Sequence, residues 1–206
     1  YLKIVKQKKN NKNYAMITGD IYYSKNNVEE IAACTDKNNS NGENVKVILI
    51  SRAGSEGIDL KYIRQVHILE PWYNTSRLEQ TLGRAIRSKS HCSLPFNKRN
   101  VQIFLYGTDL QSETEAADLY VYRVAESKAI QIGKVSRVLK ETCVDCIVHH
   151  SQINFTEEKF NKKINILLSN KKSVEYNVGD KPYSSICDFM SECVYECKPN
   201  IKNENI

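Results

Sequence analysis

Four residues between positions 80 and 87 have the types and the spacing to bind an anionic group. At about 100° per residue they fall on one face of a helix, within an arc of roughly 100°; they are Gln80, Gly83, Arg84 and Arg87. A guanidinium keeps its charge and can bind phosphate oxygens through two parallel N–H groups. A glycine costs a helix about 1 kcal/mol relative to alanine, so Gly83 suggests that a ligand approaches closely. The pattern favours a phosphate-binding face over the alternative, a solvated basic face.

A loop with two glycines lies upstream, at residues 51–60. Gly54 and Gly57 allow the backbone to come close to a ligand and to present N–H groups to phosphates. The loop follows a short apolar run, rich in β-branched residues, that is typical of a buried parallel strand; it consists of Val45, Val47, Ile48, Leu49 and Ile50. A second apolar strand is predicted at residues 66–69.

The helix that carries the basic face is predicted to begin near Ser76. Ser76 and Glu79 fit a capping box, and Pro71 cannot lie inside the helix. The opposite face is apolar and is predicted to pack on the core through Leu78, Leu82, Ala85 and Ile86. Strand, loop, strand and helix thus form a unit whose polar residues gather at loop and helix positions, as in the ligand sites of open α/β folds.

The rest of the chain supplies further predicted elements. Strands are expected at residues 14–17 and 101–106, with a turn at 18–20, a helix capped by Ser24 that reaches Cys34, and helical structure over 116–148. Residues 1–12 are basic and are predicted to be a helix end or a linker. We expect an α/β fold with its main domain over residues 1–148 and a small mixed accessory region over 149–206.

Composition sets the class of protein. The chain has 206 residues, 41% of them hydrophobic, and a net charge of +6, which suits a globular domain with a polyanionic partner. An excess of Lys and Asn from an AT-rich genome is an equal explanation of the charge. No apolar run approaches the roughly 18 residues of a membrane span, and no signal peptide is visible. We therefore expect an intracellular protein without a membrane partner.

The cysteines leave two interpretations open. Seven cysteines, an odd number, argue against a complete disulfide framework and for a reducing compartment. Cys143 and Cys146, followed by Cys187, Cys193 and Cys197, could include zinc ligands. Their spacing lacks the usual second close pair, so buried thiols without a bound metal are favoured.

Two segments carry a resemblance to a known family. Residues 51–60, SRAGSEGIDL, resemble motif V of superfamily 2 helicases, and residues 80–87, QTLGRAIR, resemble motif VI, the Q-x-x-G-R-x-x-R element. The likeness is greatest to the large-DNA-virus branch, which includes poxvirus-type nucleoside triphosphatase I and the large subunit of the viral early transcription factor. Trp72, Asn74 and the Ser90-His91 pair also fit, and the loop is similar to that of Snf2-type DNA translocases. The resemblance is strong from about residue 14 to 106 and fades beyond about 150.

The resemblance implies a RecA-like open parallel sheet flanked by helices, the C-terminal lobe of a two-lobed enzyme that uses ATP. The nucleotide-facing residues it implies are Gln80, Arg84 and Arg87, with Gly57, Asp59 and Gly83 beside them. The two arginines would reach the γ-phosphate across the cleft between lobes. Asp59 would accept hydrogen bonds from the ribose hydroxyls, and its alternative role is to cap a helix or turn.

The resemblance also implies a nucleic-acid surface. Its residues would be Thr18, Gly19, Ser51, Arg52, Ser55 and Trp72. Short hydroxyls and an arginine suit contacts with a phosphate backbone. Trp72 would either stack on a base or pack half-buried in the fold.

Two parts of the catalytic apparatus are missing from the sequence. It contains no G-x-x-x-x-G-K-[ST] phosphate loop and no acidic DExH-like tetrad for Mg²⁺, and phosphoryl transfer needs both. In the resembling families they lie on an N-terminal lobe, which would precede Tyr1. We therefore expect a fragment that does not hydrolyse ATP alone, with Mg²⁺ held by the missing lobe.

These implications lead to one main hypothesis and two alternatives. The main hypothesis is the C-terminal lobe of an NTP-dependent helicase or translocase, and the resemblance implies a viral origin. Its expected partners are nucleic acid, with DNA favoured over RNA, the N-terminal lobe of the same protein, and viral RNA polymerase as a further candidate. The first alternative is a viral transcription initiation or termination module in which hydrolysis serves release. The second is a scaffold without turnover, disfavoured because both motifs are intact.

Overall fold

The chain divides into two compact units. The computed structural model describes residues 14–52, 57–111 and 114–198. The first unit contains the described residues up to Glu70 together with Ser76–Tyr106, and the second contains Pro71–Thr75 and the described residues from Gly107 onward. The functional division at residue 148 stays a prediction.

Parallel strand pairs form the framework of the first unit. Strand β1 (Tyr14–Ile17) pairs with β2 (Val47–Ile50), with Ile17 opposite Ile50. Strand β3 (Gln65–Ile68) pairs with β4 (Gln102–Leu105). The predicted strands and the parallel pairing are confirmed. Within the described residues they make two separate two-stranded sheets and not one continuous sheet.

The core of the first unit lies beside β1, where Ala15 and Ile17 are buried. Ile17 packs with the buried Ile58 and Leu60, and Ala15 packs with Cys34 and other apolar residues. Burial of the Cys34 thiol, together with the charge of Glu30, raises its pKa to about 11, so this thiol stays protonated at neutral pH.

The prediction that β2 is buried was wrong. Val47, Leu49 and Ile50 are 51%, 41% and 39% exposed, and only Ile48 packs against the core clusters. A parallel strand is fully buried only when helices cover both of its faces. In the described part of the first unit, helix α1 (Asn27–Thr35) packs on β1, and no comparable packing of a helix on β2 is found.

Helix α1 ends near Cys34 as predicted, but its cap is a different residue. The side chain of Asn26 accepts a hydrogen bond from the Glu29 N–H, so Asn26 is the N-cap. Ser24 is buried, and its hydroxyl contacts the Asn27 side-chain oxygen. The turn lies slightly later than the predicted residues 18–20. Asp20 accepts hydrogen bonds from the backbone N–H groups of Tyr22, Tyr23 and Ser24, so the turn is at residues 21–23.

The second unit is organised around one long helix. Helix α3 (Ala117–Thr142) is followed by three short helices and an antiparallel hairpin. These are α4 (Val144–Val148), α5 (His150–Ile153), α6 (Glu157–Phe160), β5 (Lys163–Leu167) and β6 (Ser173–Asn177). The predicted helical stretch is confirmed, with a break at Cys143. No helix in the described part of the chain is long and apolar enough to cross a membrane.

Small residues on α3 allow a close approach by the segment around Asp188. Ala125, Ala129, Gly133 and Arg137 are buried at intervals of four residues, so they lie along one side of the helix. A Cβ atom on Gly133 would collide with the backbone carbonyl of Asp188. Glycine is therefore required at 133 for this packing.

Arg137 fixes the same segment by hydrogen bonds. Its Nε donates to Asp188 Oδ2 at 2.9 Å, and its Nη atoms donate to the carbonyls of Cys187, Glu192 and Val194. Both charged side chains are only 6% exposed. The guanidinium also lies 4.9 Å from the centre of the Tyr195 ring, a distance suited to a cation–π contact.

Four cysteines of this unit form two disulfides, so the expectation of ordinary buried thiols was wrong for them. Cys146 pairs with Cys197, and Cys187 pairs with Cys193. The remaining cysteines are free thiols: Cys34, Cys92 and Cys143. Within the residues that the structure describes, no three Cys, His, Asp or Glu side chains are grouped so as to hold a metal ion.

Reduction should destabilise the second unit, because the Cys146–Cys197 bond closes a loop with a sequence separation of 51. Loop-closure entropy gives about 4 kcal/mol for a loop of this length. Urea unfolding followed by the fluorescence of Trp72, the single tryptophan, should therefore show a lower midpoint for Cys146→Ser. Cys92→Ser, which removes an exposed free thiol, is the matched control. Seven reactive thiols in native chain purified without reductant would contradict the pairing.

Candidate functional site

Helix α2 (Thr75–Ala85) positions the predicted basic face. Ala85 is buried, and Leu78 and Leu82 are half-buried, as the periodicity predicts. Two details differ. The helix begins at Thr75, so Ser76 lies in the first turn and does not precede it. Ile86 is 51% exposed, because the helix ends at Ala85 and the next residue no longer faces the core.

The opposite face of α2 is open. Gln80 and Gly83 are exposed and Arg84 is half-buried. A Cβ atom on Gly83 would meet nothing within 4 Å. This side of the helix can therefore accept a ligand near its backbone without rearrangement of the described residues.

Asp59 is held out from the core by its two neighbours. Ile58 and Leu60 are both buried in the cluster that contains Ile17, whereas Asp59 is exposed. Gly57, two residues earlier, has φ +73°, a left-handed conformation that favours glycine. A Cβ at 57 would meet nothing, so the requirement there is conformational. The carboxylate is thus presented to solvent by a segment with two buried anchors.

The structure brings Asp59 and Arg87 together. Arg87 Nη1 lies 3.0 Å from Asp59 Oδ1, and the two side chains are 47% and 55% exposed. An exposed ion pair of this kind contributes about 0.2–1 kcal/mol. It orients the guanidinium and the carboxylate toward one another, yet it can be exchanged for contacts with another anion at small cost.

Two further hydrogen bonds join the same parts of the chain. Ser90 O accepts from the Tyr62 N–H at 3.3 Å, and His91 Nε2 lies 2.6 Å from Ile63 O. Tyr62 adopts φ +65°, which is uncommon for a residue with a side chain. These hydrogen bonds, together with the ion pair, join the segment that begins at Asp59 to the segment that begins at Arg87.

Four residues predicted at the nucleic-acid surface lie together at the carboxyl ends of β1 and β2. They are Thr18, Gly19, Ser51 and Arg52. Ser51 N donates to Ile17 O at 3.0 Å, which places Ser51 and Arg52 beside Thr18 and Gly19 at the same edge of the strand pair. The Thr18 hydroxyl donates to the Asp20 carbonyl at 3.0 Å. Ser55 lies outside the described residues. Trp72 belongs to the second unit, where it contacts Tyr73 edge-on with ring centres 6.3 Å apart.

The sequence of the first unit is similar to a known family. Residues 1–89 match the helicase conserved C-terminal domain. The matched range includes both segments that resemble helicase motifs, together with the Asp59–Arg87 pair.

Proteins similar to this chain occur in several large DNA viruses. A putative ATP-dependent RNA helicase of Acanthamoeba polyphaga mimivirus is 40% identical over 118 residues, 54% of this chain and 14% of the relative. A putative helicase of Invertebrate iridescent virus 3 is 29% identical over 194 residues, 92% of this chain and 18% of the relative. A termination factor NPH-I homolog of African swine fever virus is 52% identical over 68 residues, 33% of this chain and 10% of the relative. The predicted likeness to viral helicases is confirmed, and the chain spans less than a fifth of each of these proteins.

Some contacts of the candidate site are not indicated by any pattern in the sequence. The Asp59–Arg87 pair joins residues 28 positions apart, and no local pattern indicates which carboxylate an arginine meets. The Ser90-His91 pair was visible as part of the resemblance, but its partner is the carbonyl of Ile63. Every residue has a backbone carbonyl, so the residue type at position 63 does not indicate that its carbonyl accepts this hydrogen bond.

Proposed function

We propose that this chain is the RecA-like C-terminal lobe of an ATP-dependent helicase or translocase, with nucleotide bound between it and an N-terminal lobe. The observation that carries the proposal is the Asp59–Arg87 ion pair at 3.0 Å. The residues matched to ribose and γ-phosphate contacts lie side by side on an exposed surface, although they are distant in sequence.

The residues of this surface have chemistry suited to that role. Arg87 exchanges Asp59 for the γ-phosphate, because a phosphate with several charged oxygens offers a bidentate contact that a single carboxylate oxygen at 3.0 Å does not. Arg84 has no hydrogen-bond or ion-pair partner among the described residues, so its guanidinium is available to the same anion. Asp59, once released, accepts hydrogen bonds from ribose hydroxyls. ATP is the substrate, and Mg²⁺ is held by the N-terminal lobe.

The nucleic-acid contacts are proposed for the edge formed by the ends of β1 and β2. Ser51, Thr18 and the Gly19 backbone offer short donors for phosphate oxygens, and Arg52 adds a positive charge. Ser55 and Trp72 are proposed as additional contacts on the resemblance alone. The likeness of the loop to DNA translocases favours DNA, although relatives are named as RNA helicases.

A second candidate function is a transcription termination or initiation module that binds DNA or polymerase and uses hydrolysis for release. It is favoured by one observation, the 52% identity over 68 residues to a protein named as a termination factor homolog. The two functions share the same nucleotide chemistry. They differ in whether turnover moves the protein along a strand, which a strand-displacement assay with the intact protein distinguishes.

The chain alone should bind nucleic acid without hydrolysing ATP. Backbone contacts release counterions, so the logarithm of the binding constant should fall linearly with the logarithm of salt concentration. Arg52→Ala should weaken binding to all sequences alike and reduce the magnitude of that slope by about one. Fluorescence anisotropy with a labelled single strand, at several salt concentrations, measures both quantities.

Lys37→Ala is the matched control for Arg52→Ala. Lys37 is exposed and lies in a 3-10 turn, Lys37–Asn39, whose Asn39 side chain bonds the backbone of Val45 before β2 begins. It is therefore at the opposite edge of the strand pair and should leave the slope unchanged. Equal effects of the two substitutions would contradict the proposed surface. Nucleic-acid-stimulated ATP turnover by the purified chain would contradict the two-lobe assignment.

A further inference from the structure

The residues just beyond helix α2 form a compact hydrogen-bonded cluster that the proposed chemistry does not use. The Ser90 hydroxyl lies 2.8 Å from Arg87 O and 2.7 Å from His91 Nδ1. His91 Nε2 lies 2.6 Å from Ile63 O, and Ser90 O accepts from the Tyr62 N–H. Ser90 is buried and His91 is half-buried. A buried hydroxyl with this many partners is an organised contact.

Hydrogen-bond counting defines the direction of two of these contacts. Ile63 O can only accept, so His91 Nε2 must carry the hydrogen and donate. Arg87 O can likewise only accept, so the Ser90 hydroxyl donates to it. The direction of the contact between the Ser90 hydroxyl and His91 Nδ1 depends on the protonation of Nδ1. The backbone N–H of Ser90 also donates to Arg87 O, at 3.1 Å. The carbonyl of Arg87 therefore accepts hydrogen bonds from both the hydroxyl and the backbone N–H of Ser90.

We propose that Ser90 and His91 are positioning residues for Arg87, an inference that rests on the proposed function. Ser90 holds the backbone of Arg87, and His91 fastens that backbone to Ile63, four residues beyond Asp59. The cluster therefore fixes the distance between the segment that carries the guanidinium and the segment that carries the carboxylate. Neither residue contacts nucleotide or nucleic acid in this assignment.

The energetics explain why such a cluster is needed. The Asp59–Arg87 pair is about half-exposed and contributes too little to hold two segments together by itself. Once ATP replaces Asp59 as the partner of Arg87, even that contact is lost. The backbone contacts of Ser90 and His91 do not involve either reacting side chain, so they persist through the exchange. They keep Arg87 within reach of the transferred phosphoryl group, where a displacement of 1 Å can lower the rate by about 10²-fold.

The test uses the intact protein that joins this chain to its N-terminal lobe. His91→Gln keeps an amide N–H near the position of Nε2 and can still donate to Ile63 O, whereas His91→Asn is shorter and reaches only toward Ser90. We expect His91→Asn to lower kcat for ATP by about 10- to 100-fold with KM within about threefold of the original. His91→Gln should restore kcat to within about fivefold. Equal kcat in the two variants would overturn the inference.

A mutant cycle separates positioning from stability. In an Arg87→Ala background, His91→Asn should cause no further loss of kcat, because the group it positions is absent. Its effect on the urea midpoint should be the same in both backgrounds. Additive losses of kcat would overturn the inference and leave the proposed function intact. Full turnover by Arg87→Ala alone would overturn the proposed function, and this inference with it.

Discussion

Replacement of Arg87 by alanine should lower ATP turnover by the intact protein by about 10³–10⁵-fold, the range for arginines that stabilise a transferred phosphoryl group. The protein should stay folded, because the Arg87 side chain is 47% exposed and its partner Asp59 is 55% exposed. No buried charge is left unpaired. Steady-state hydrolysis, with circular dichroism and nucleic-acid binding measured on the same preparation, checks the three parts of this expectation.

Four further substitutions make the Arg87 result specific. Arg87→Lys should recover little, because an ammonium keeps the charge but lacks the planar fork of donors. Asp59→Asn removes the carboxylate without adding a charge and should lower kcat far less than Arg87→Ala. Ala85→Asp should instead unfold the first unit, because it buries an unpaired charge, and Leu82→Asp should do so less completely because Leu82 is half-buried. Near-normal turnover by Arg87→Ala would contradict the assignment of motif VI.

Arg137→Ala should cost about 3–5 kcal/mol of stability in the second unit, the usual result of breaking a buried ion pair. It removes the main partner of the buried Asp188 and the donor to three backbone carbonyls. Lys140 also contacts Asp188 and should compensate only in part, because its ammonium contacts the carboxylate and not the three carbonyls. Urea unfolding followed by Trp72 fluorescence measures the change, since Trp72 lies in the same unit.

Arg123→Ala is the matched control for Arg137→Ala. Arg123 lies on the same helix and pairs with Glu115 at 2.7 Å, but its side chain is 59% exposed. The guanidinium lowers the pKa of the Glu115 carboxyl, yet solvent screens the pair, so a much smaller loss of stability is expected than for Arg137→Ala. If the two alanine variants unfolded at the same urea concentration, the proposed anchoring role of Arg137 would be wrong.

Local periodicity accounts for the parts of the fold that could be predicted. β1 and α2 follow from apolar residues at spacings that only one secondary structure can place on one face. The long helix α3 follows in the same way. The burial of β2 could not be predicted, because its apolar composition does not reveal whether helices cover both faces. The cap of α1 was assigned to Ser24 and belongs to Asn26, since both residue types are good caps at neighbouring positions.

Tertiary proximity accounts for what was missed. The disulfide pairs depend on which Cα atoms lie about 4–7 Å apart, and spacing in the sequence does not determine that distance. Cys146 and Cys197 have Cα atoms 5.5 Å apart across a separation of 51. In the candidate site, the resemblance identified Asp59 and Arg87 as separate residues. Only the structure revealed their contact and the hydrogen bonds of Ser90 and His91 beside it.

The short path between Arg52 and Asp59 has a thermodynamic consequence. Seven residue steps separate Arg52, proposed to contact nucleic acid, from Asp59, proposed to contact the nucleotide, a reach of at most about 25 Å. Asp59 is anchored between the buried Ile58 and Leu60. If ATP changes the position of this segment and thereby the affinity for a strand by some factor, linkage requires the strand to change the affinity for ATP by the same factor. The segment from Arg52 to Asp59 would then couple the binding of ATP to the binding of the strand. The two buried side chains, Ile58 and Leu60, would set the size of the coupling free energy.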